Sequence, residues 1–204
     1  MTLAALTLLL ACRAKESYEP LSPDTATDTP DTGDTADTGD TGSTPATLSP
    51  GFLYDLDRRQ GCANLQVAAA NVDDTVAVYV RVGGLLEQAY DAGGPLTWTW
   101  AFPVVGDAMA PPEVTAELGE HLTSVFCNDV IENPPVIART WTMVEGSLSI
   151  TVTPTGTRTD WGEMPARADV SIAYGAFVPS DDPSATPVEG GDILISTGVG
   201  WMPG

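Results

Sequence analysis

Histidine and lysine are almost missing from this chain. Among 204 residues His121 is the only histidine and Lys15 the only lysine. A Ser-His-Asp triad would have to use His121 as its base, and no Gly-x-Ser-x-Gly elbow accompanies it. With Glu117 and Glu120 nearby, His121 reads as a surface or capping residue. Zinc needs three or four clustered nitrogen or sulfur ligands, which one histidine and one pairable cysteine cannot supply. No glycine-rich phosphate loop is present, and no apolar run reaches the roughly 20 residues a membrane-spanning helix needs. The scarcity of bases leaves 28 acidic against 8 basic residues, a formal charge of −20. Such a chain repels nucleic-acid phosphates and anionic lipid headgroups. Nucleic acid is therefore rejected as a partner.

What is present begins with an apolar leader. Leu3, Leu6, Leu8, Leu9 and Leu10 are spaced by Ala4, Ala5 and Ala11. The run suits the apolar region of a secretory signal, cut after a small residue. Leu9-Leu10-Ala11-Cys12 resembles the lipobox of bacterial lipoproteins. The resemblance implies a signal peptide over 1–11, cleavage before Cys12 and diacylglycerol on its sulfur. It also implies acylation of the new amino terminus. Each buried CH₂ contributes about 0.8 kcal/mol, so two or more chains hold firmly. The bilayer is then a partner through Cys12. The place expected is the cell envelope, at the outer membrane, on its periplasmic or surface face. No basic residue precedes Cys12, which points to a true start upstream of Met1.

Residues 12–49 carry no apolar periodicity. Asp recurs at 28, 31, 34, 37 and 40 in a triplet repeat rich in Thr, Gly and Pro. Such a segment buries too little to offset its ordering entropy, so a disordered linker is expected. As a coil it spans roughly 35 Å; taut, it reaches on the order of 120 Å. Asp40-Thr41-Gly42-Ser43 matches the loop of aspartic proteases, but its flanks are polar and nothing would bury the carboxylate. Spacer is the reading. Asp-Thr-Gly spacers behind a lipidated cysteine are similar to those of myxobacterial surface lipoproteins, and that implies location only.

Residues 50–204 are expected to form one all-β domain. With Cys12 assigned to lipid, Cys62 and Cys127 remain, and an oxidising compartment makes them a disulfide. In the chain-entropy view the closed loop stabilises the fold by about 4 kcal/mol. Thr75 to Val82 alternates strictly, with Val76, Val78, Val80 and Val82 on one face, and pairs with Cys62 to Val72 across an Asp73-Asp74 turn. Leu96, Trp98, Trp100 and Phe102 share a face and read as core. Leu85 to Tyr90 suits a helical turn. Ile137 to Val144 and Ser147 to Thr153 read as a hairpin about Glu145-Gly146. Ala168, Val170, Ile172 and Tyr174 alternate, and Ile193, Ile195 and Val199 close the set. About eight short strands predict an antiparallel β-sandwich. The cysteine spacing suits an immunoglobulin domain, but no tryptophan follows Cys62 and Val125 replaces the expected tyrosine, so that family is dropped.

Three functions are weighed. The first is a non-catalytic, membrane-anchored domain for envelope structure or surface interaction, with a surface glycan or an envelope protein as partner. The second is carbohydrate binding by Trp161, stacked on a sugar face beside Arg158, Asp160 and Glu163. The third is a carboxylate-dependent hydrolase, whose two acids would include Asp160 or Glu163. No cofactor is expected. Calcium is the one weak candidate, at Asp73 and Asp74, at Asp181 and Asp182, or at Asp192.

Overall fold

The computed structural model describes residues 46–106, 111–128 and 133–200. The expected signal peptide, Cys12 and the expected linker up to residue 45 lie outside the described residues. A 3₁₀ turn, Phe52–Asp55, leads into β1 (Arg58–Cys62), β2 (Gln66–Ala70) and β3 (Val76–Arg81). Helix α1 (Leu85–Ala92) and β4 (Leu96–Phe102) follow, then β5 (Glu113–Glu120). Three long strands complete the domain: β6 (Val136–Pro154), β7 (Ala166–Pro179) and β8 (Val188–Val199).

All pairings are antiparallel. The strands join in one sheet in the order β1-β2-β3-β5-β6-β7-β8. On one edge β6 takes β5 along its first half and β4 along its second. All-β architecture with eight strands agrees with the expectation. The expected sandwich of two facing sheets is not what the pairing traces. It shows one continuous sheet, curled into an open half-barrel. The curl carries β1 against β8, and the Gly200 N–H donates to the Ala63 carbonyl at 3.0 Å.

The expected hairpin about Glu145-Gly146 is corrected. β6 continues without a turn through these residues, and they form a bulge opposite β7. A hairpin there would strand the β7 ladder, whereas β7 pairs on both sides of the bulge. The Asp73-Asp74 hairpin does form. The Asn71 carboxamide accepts from the backbone N–H of Thr75 (2.8 Å) and Val76 (3.1 Å), which closes its turn.

The main core lies inside the curl, among Val78, Val80, Trp100, Trp141, Leu148, Ile150, Val170, Ile172, Phe177 and Ile195, and reaches back to Leu48. Helix α1 packs Leu85, Leu86 and Ala89 into it. The opposite face of β2 and β3 is buried as well, through Ala68, Ala70, Ala77 and Tyr79. Leu122 and Phe126 cover them. The covering segment is held by the Cys62–Cys127 disulfide, with Cα atoms 5.6 Å apart. Asp74 holds it too. Its carboxylate accepts from the Thr123 hydroxyl at 2.8 Å and the Thr123 N–H at 3.1 Å.

Candidate functional site

The three long strands are irregular at one level. β6 shifts register on both sides of Glu145, and β7 shifts on both sides of Gly175. On β8, Gly191 pairs with Gly175 and Glu189 with Ala176, leaving Gly190 as an extra residue. Positive φ marks each strand there: Gly146 at 110°, Tyr174 at 55° and Gly191 at 89°. Bulges bend a strand and re-aim its side chains. Tyr174 is the consequence. The β-alternation would send it inward with Ile172, but the bulge turns it out, and it is 82 % exposed.

Neighbours fix this geometry. The Asp192 carboxylate accepts from the Tyr174 N–H at 2.6 Å. Gly146 lies directly beneath the Ala173 and Tyr174 carbonyls, where a Cβ would come within 2.7 and 2.6 Å. The 3₁₀ turn supplies a second ring. Phe52 and Leu53 of that turn are buried, and the Gly51 N–H donates to the Glu189 carbonyl at 2.8 Å. Tyr54 is thereby left outside, 66 % exposed, with its ring lying over the Gly191 Cα.

Tyr54 and Tyr174 border a cleft of about 350 Å³. Glu145, Glu189 and Asp192 line it, and among the described residues no arginine or lysine does. Ionised carboxylates only accept hydrogen bonds, and a tyrosine ring offers a negative π face. The cleft therefore suits a ligand rich in donors.

The residues chosen from sequence are placed elsewhere. Trp161 stands in its loop 89 % exposed. The loop is closed by Thr159 N–H to the Glu163 carbonyl (2.9 Å) and Gly162 N–H to the Thr159 carbonyl (3.0 Å). Glu163 lines a depression of about 300 Å³ with Asn64 and Glu87. Arg158 does not line that depression itself; its guanidinium lies 3.3 Å from the sulfur of Met164, which does, and 3.9 Å from Asp91. Asp160 is exposed. Trp100 is buried and Trp98 packs on the core, as expected.

The calcium candidates fall at three separate places. Asp74 is 7 % exposed and bonded to Thr123, while Asp73 is exposed. Asp181 receives the Arg139 guanidinium at 3.0 Å, and Asp182 caps Ser184. Asp192 holds the Tyr174 bulge. Among the described residues no three His, Cys, Asp or Glu side chains are grouped as a metal would require.

Glu117 is the described carboxylate whose pKa is raised, by burial first, against the lowering effect of Arg81. Among the described residues it is the one carboxylate lining a depression of about 220 Å³ beside Cys127, and Glu113 lies near enough to add to the rise. Two facing acids are the minimum for glycoside hydrolysis. His121 is exposed, with a φ of 54°.

Sequence reasoning missed Tyr54, Tyr174, Glu145 and Glu189. A signal was available in Gly146, Gly175 and the Gly190-Gly191 pair, since glycine inside a strand pattern marks a bulge. No protein-family model, curated protein or solved structure matches the chain.

Proposed function

We propose that this chain is an exported lipoprotein, anchored through Cys12, that displays its β-domain for non-catalytic interaction at the cell envelope. The cleft between Tyr54 and Tyr174 is its contact face. One observation carries the interaction: two tyrosine rings are held out over a sheet whose other large aromatics are buried in or packed against its two apolar clusters. An exposed ring pair beside a depression is the kind of surface that marks a binding site. The lipobox and the acidic repeat support the anchor and the reach. Repulsion between linker carboxylates would hold the domain away from the bilayer.

The anchor is tested by labelling cells with radioactive palmitate. Native protein should incorporate label and Cys12→Ala should not; equal labelling rejects the anchor. The contact face is tested by sedimenting purified envelope fragments with native full chain and with Tyr54→Ala/Tyr174→Ala. The double variant should stay in the supernatant. Equal co-sedimentation of both removes the cleft from the function.

A second reading is carbohydrate binding through Trp161. Its support is the exposed indole over an ordered loop, near a depression that offers Asn64, Glu87 and Glu163. A glycan array probed with native protein and Trp161→Ala decides it. Binding by neither ends the idea.

A further inference from the structure

The cleft's chemistry narrows what it takes, given the contact face proposed above. We propose that it binds an arginine side chain on a basic segment of a partner protein. The lining carboxylates, Glu145, Glu189 and Asp192, are all exposed and offer acceptors alone. A guanidinium offers five donors and no acceptor, so the two inventories match. Its plane also stacks on tyrosine, and its fork meets a carboxylate through two parallel bonds. Tyr54 and Tyr174 provide the faces, Glu145 and Glu189 the acceptors.

The alternatives match less well. A neutral sugar brings acceptors as well as donors, and among the lining side chains only the two tyrosine hydroxyls could answer its acceptors. A metal ion needs a closer grouping of ligands than the described residues provide. The field of the whole chain favours the same choice. At −20 it attracts a basic partner from a distance and repels an acidic one. A volume of about 350 Å³ accommodates one guanidinium and its stem, not a folded element. An extended, basic stretch of a partner is the occupant that follows.

The test is calorimetric titration of the full chain with the capped peptide Gly-Arg-Gly-Arg-Gly and its citrulline counterpart. Citrulline keeps the shape and removes the charge. The arginine peptide should bind about tenfold tighter than the citrulline peptide, and raising salt from about 50 to about 500 mM should weaken it. Tyr174→Ala and Glu145→Gln/Glu189→Gln should each weaken arginine binding by about tenfold, while Trp161→Ala should leave it unchanged. All these side chains are exposed, and unchanged thermal melts confirm that the variants fold. Equal binding of both peptides, lost in Tyr174→Ala, overturns the charge recognition but keeps the cleft as contact face. Indifference of both peptides to every cleft variant overturns both. Binding of neither peptide overturns the arginine assignment. Spermidine binding as tightly as the arginine peptide overturns the protein partner in favour of a free amine.

Discussion

Gly146 is the position at which the bulge can be tested most directly. Its φ is 110°, and a Cβ there would sit 2.6 Å from the Tyr174 carbonyl oxygen and 2.7 Å from that of Ala173. Both neighbours are backbone, so neither can swing aside as a side chain could. Gly146→Ala carries two costs. A left-handed backbone for an L-residue is about 1–2 kcal/mol. Forcing an extra methyl against a packed strand adds about 1–3 kcal/mol. The sum is about 2–5 kcal/mol, or a fall in Tm on the order of 10 °C for a domain of this size. Gly162 separates the two costs. Its φ is 85°, but nothing lies within 4 Å of its Cβ site. Gly162→Ala should therefore lose only the backbone share, about 1–2 kcal/mol. Urea melts followed by circular dichroism measure both. If the two variants differ by less than about 0.5 kcal/mol, close packing of β6 beneath the β7 bulge is refuted.

Four other outcomes follow from the same geometry. Replacing Cys62 and Cys127 by serine opens a loop with a sequence separation of 65 and should cost about 4 kcal/mol in urea melts; an unchanged midpoint would show that the cross-link constrains nothing. Tyr79→Phe removes a buried donor to the Leu122 carbonyl at 2.6 Å and should cost about 1–2 kcal/mol, a loss absent from thermal melts only if that carbonyl finds water. The Ser196 hydroxyl, against some desolvation and with help from Arg167, lowers the pKa of Asp169. A depressed acid stabilises the fold above its ordinary value of 3.8 and loses that contribution as pH falls through the folded value, so the gap between native and Asp169→Asn should be present at pH 6 and close below pH 3.8. Burial acts on Glu117 in the opposite sense: its raised pKa favours the protonated form, and stability is lost as pH rises past 4.5, so Glu117→Gln should overtake the native protein above that pH.

Period-two alternation was enough to find most strands, because β-branched runs such as Val76 to Val82 have one solution. The disulfide was legible from the expected compartment and the cysteine count. The long strand β6 was not. Glu145-Gly146 carries the signature of a two-residue turn, and local chemistry cannot tell a turn from a bulge. The difference is made by β7, which pairs on both sides of it. Tyr174 was misread for a related reason. Its place in the alternation with Ala168, Val170 and Ile172 predicts burial, and only the extra residue in β7 reverses its direction. β1 escaped notice because Arg58-Arg59-Gln60-Gly61 has no apolar face; it is a strand through its pairing with β2. The polar loop around Trp161 left open whether its ring folds over the core edge or stands in solvent, and it is 89 % exposed. The acids of the cleft were not legible as a group, because Glu145, Glu189 and Asp192 meet only through three aligned register shifts.

The position of the cleft follows from the length of these strands. A domain of about 155 residues has a radius of gyration near 15 Å and a diameter of roughly 40 Å. A straight strand of 19 residues, the length of β6, would run for about 63 Å. β6 must therefore bend to keep Trp141 and Ile150 in one core, and its neighbours β7 and β8 must bend with it. Bulges supply the bend, and they have to occur at one level, because adjacent strands share a ladder. A bulge also reverses the facing of a side chain. The same requirement that curls the sheet thus brings Tyr174 to the surface and opens a gap beside Gly191 for Tyr54. Shape and chemistry then separate by residue. The glycines set the curvature, so changing Gly146 should damage fold and cleft together. The tyrosines and Glu189 project from a backbone already set, so changing them should remove recognition and leave stability intact. A cleft that lost its ligand only when the fold was weakened would contradict this division.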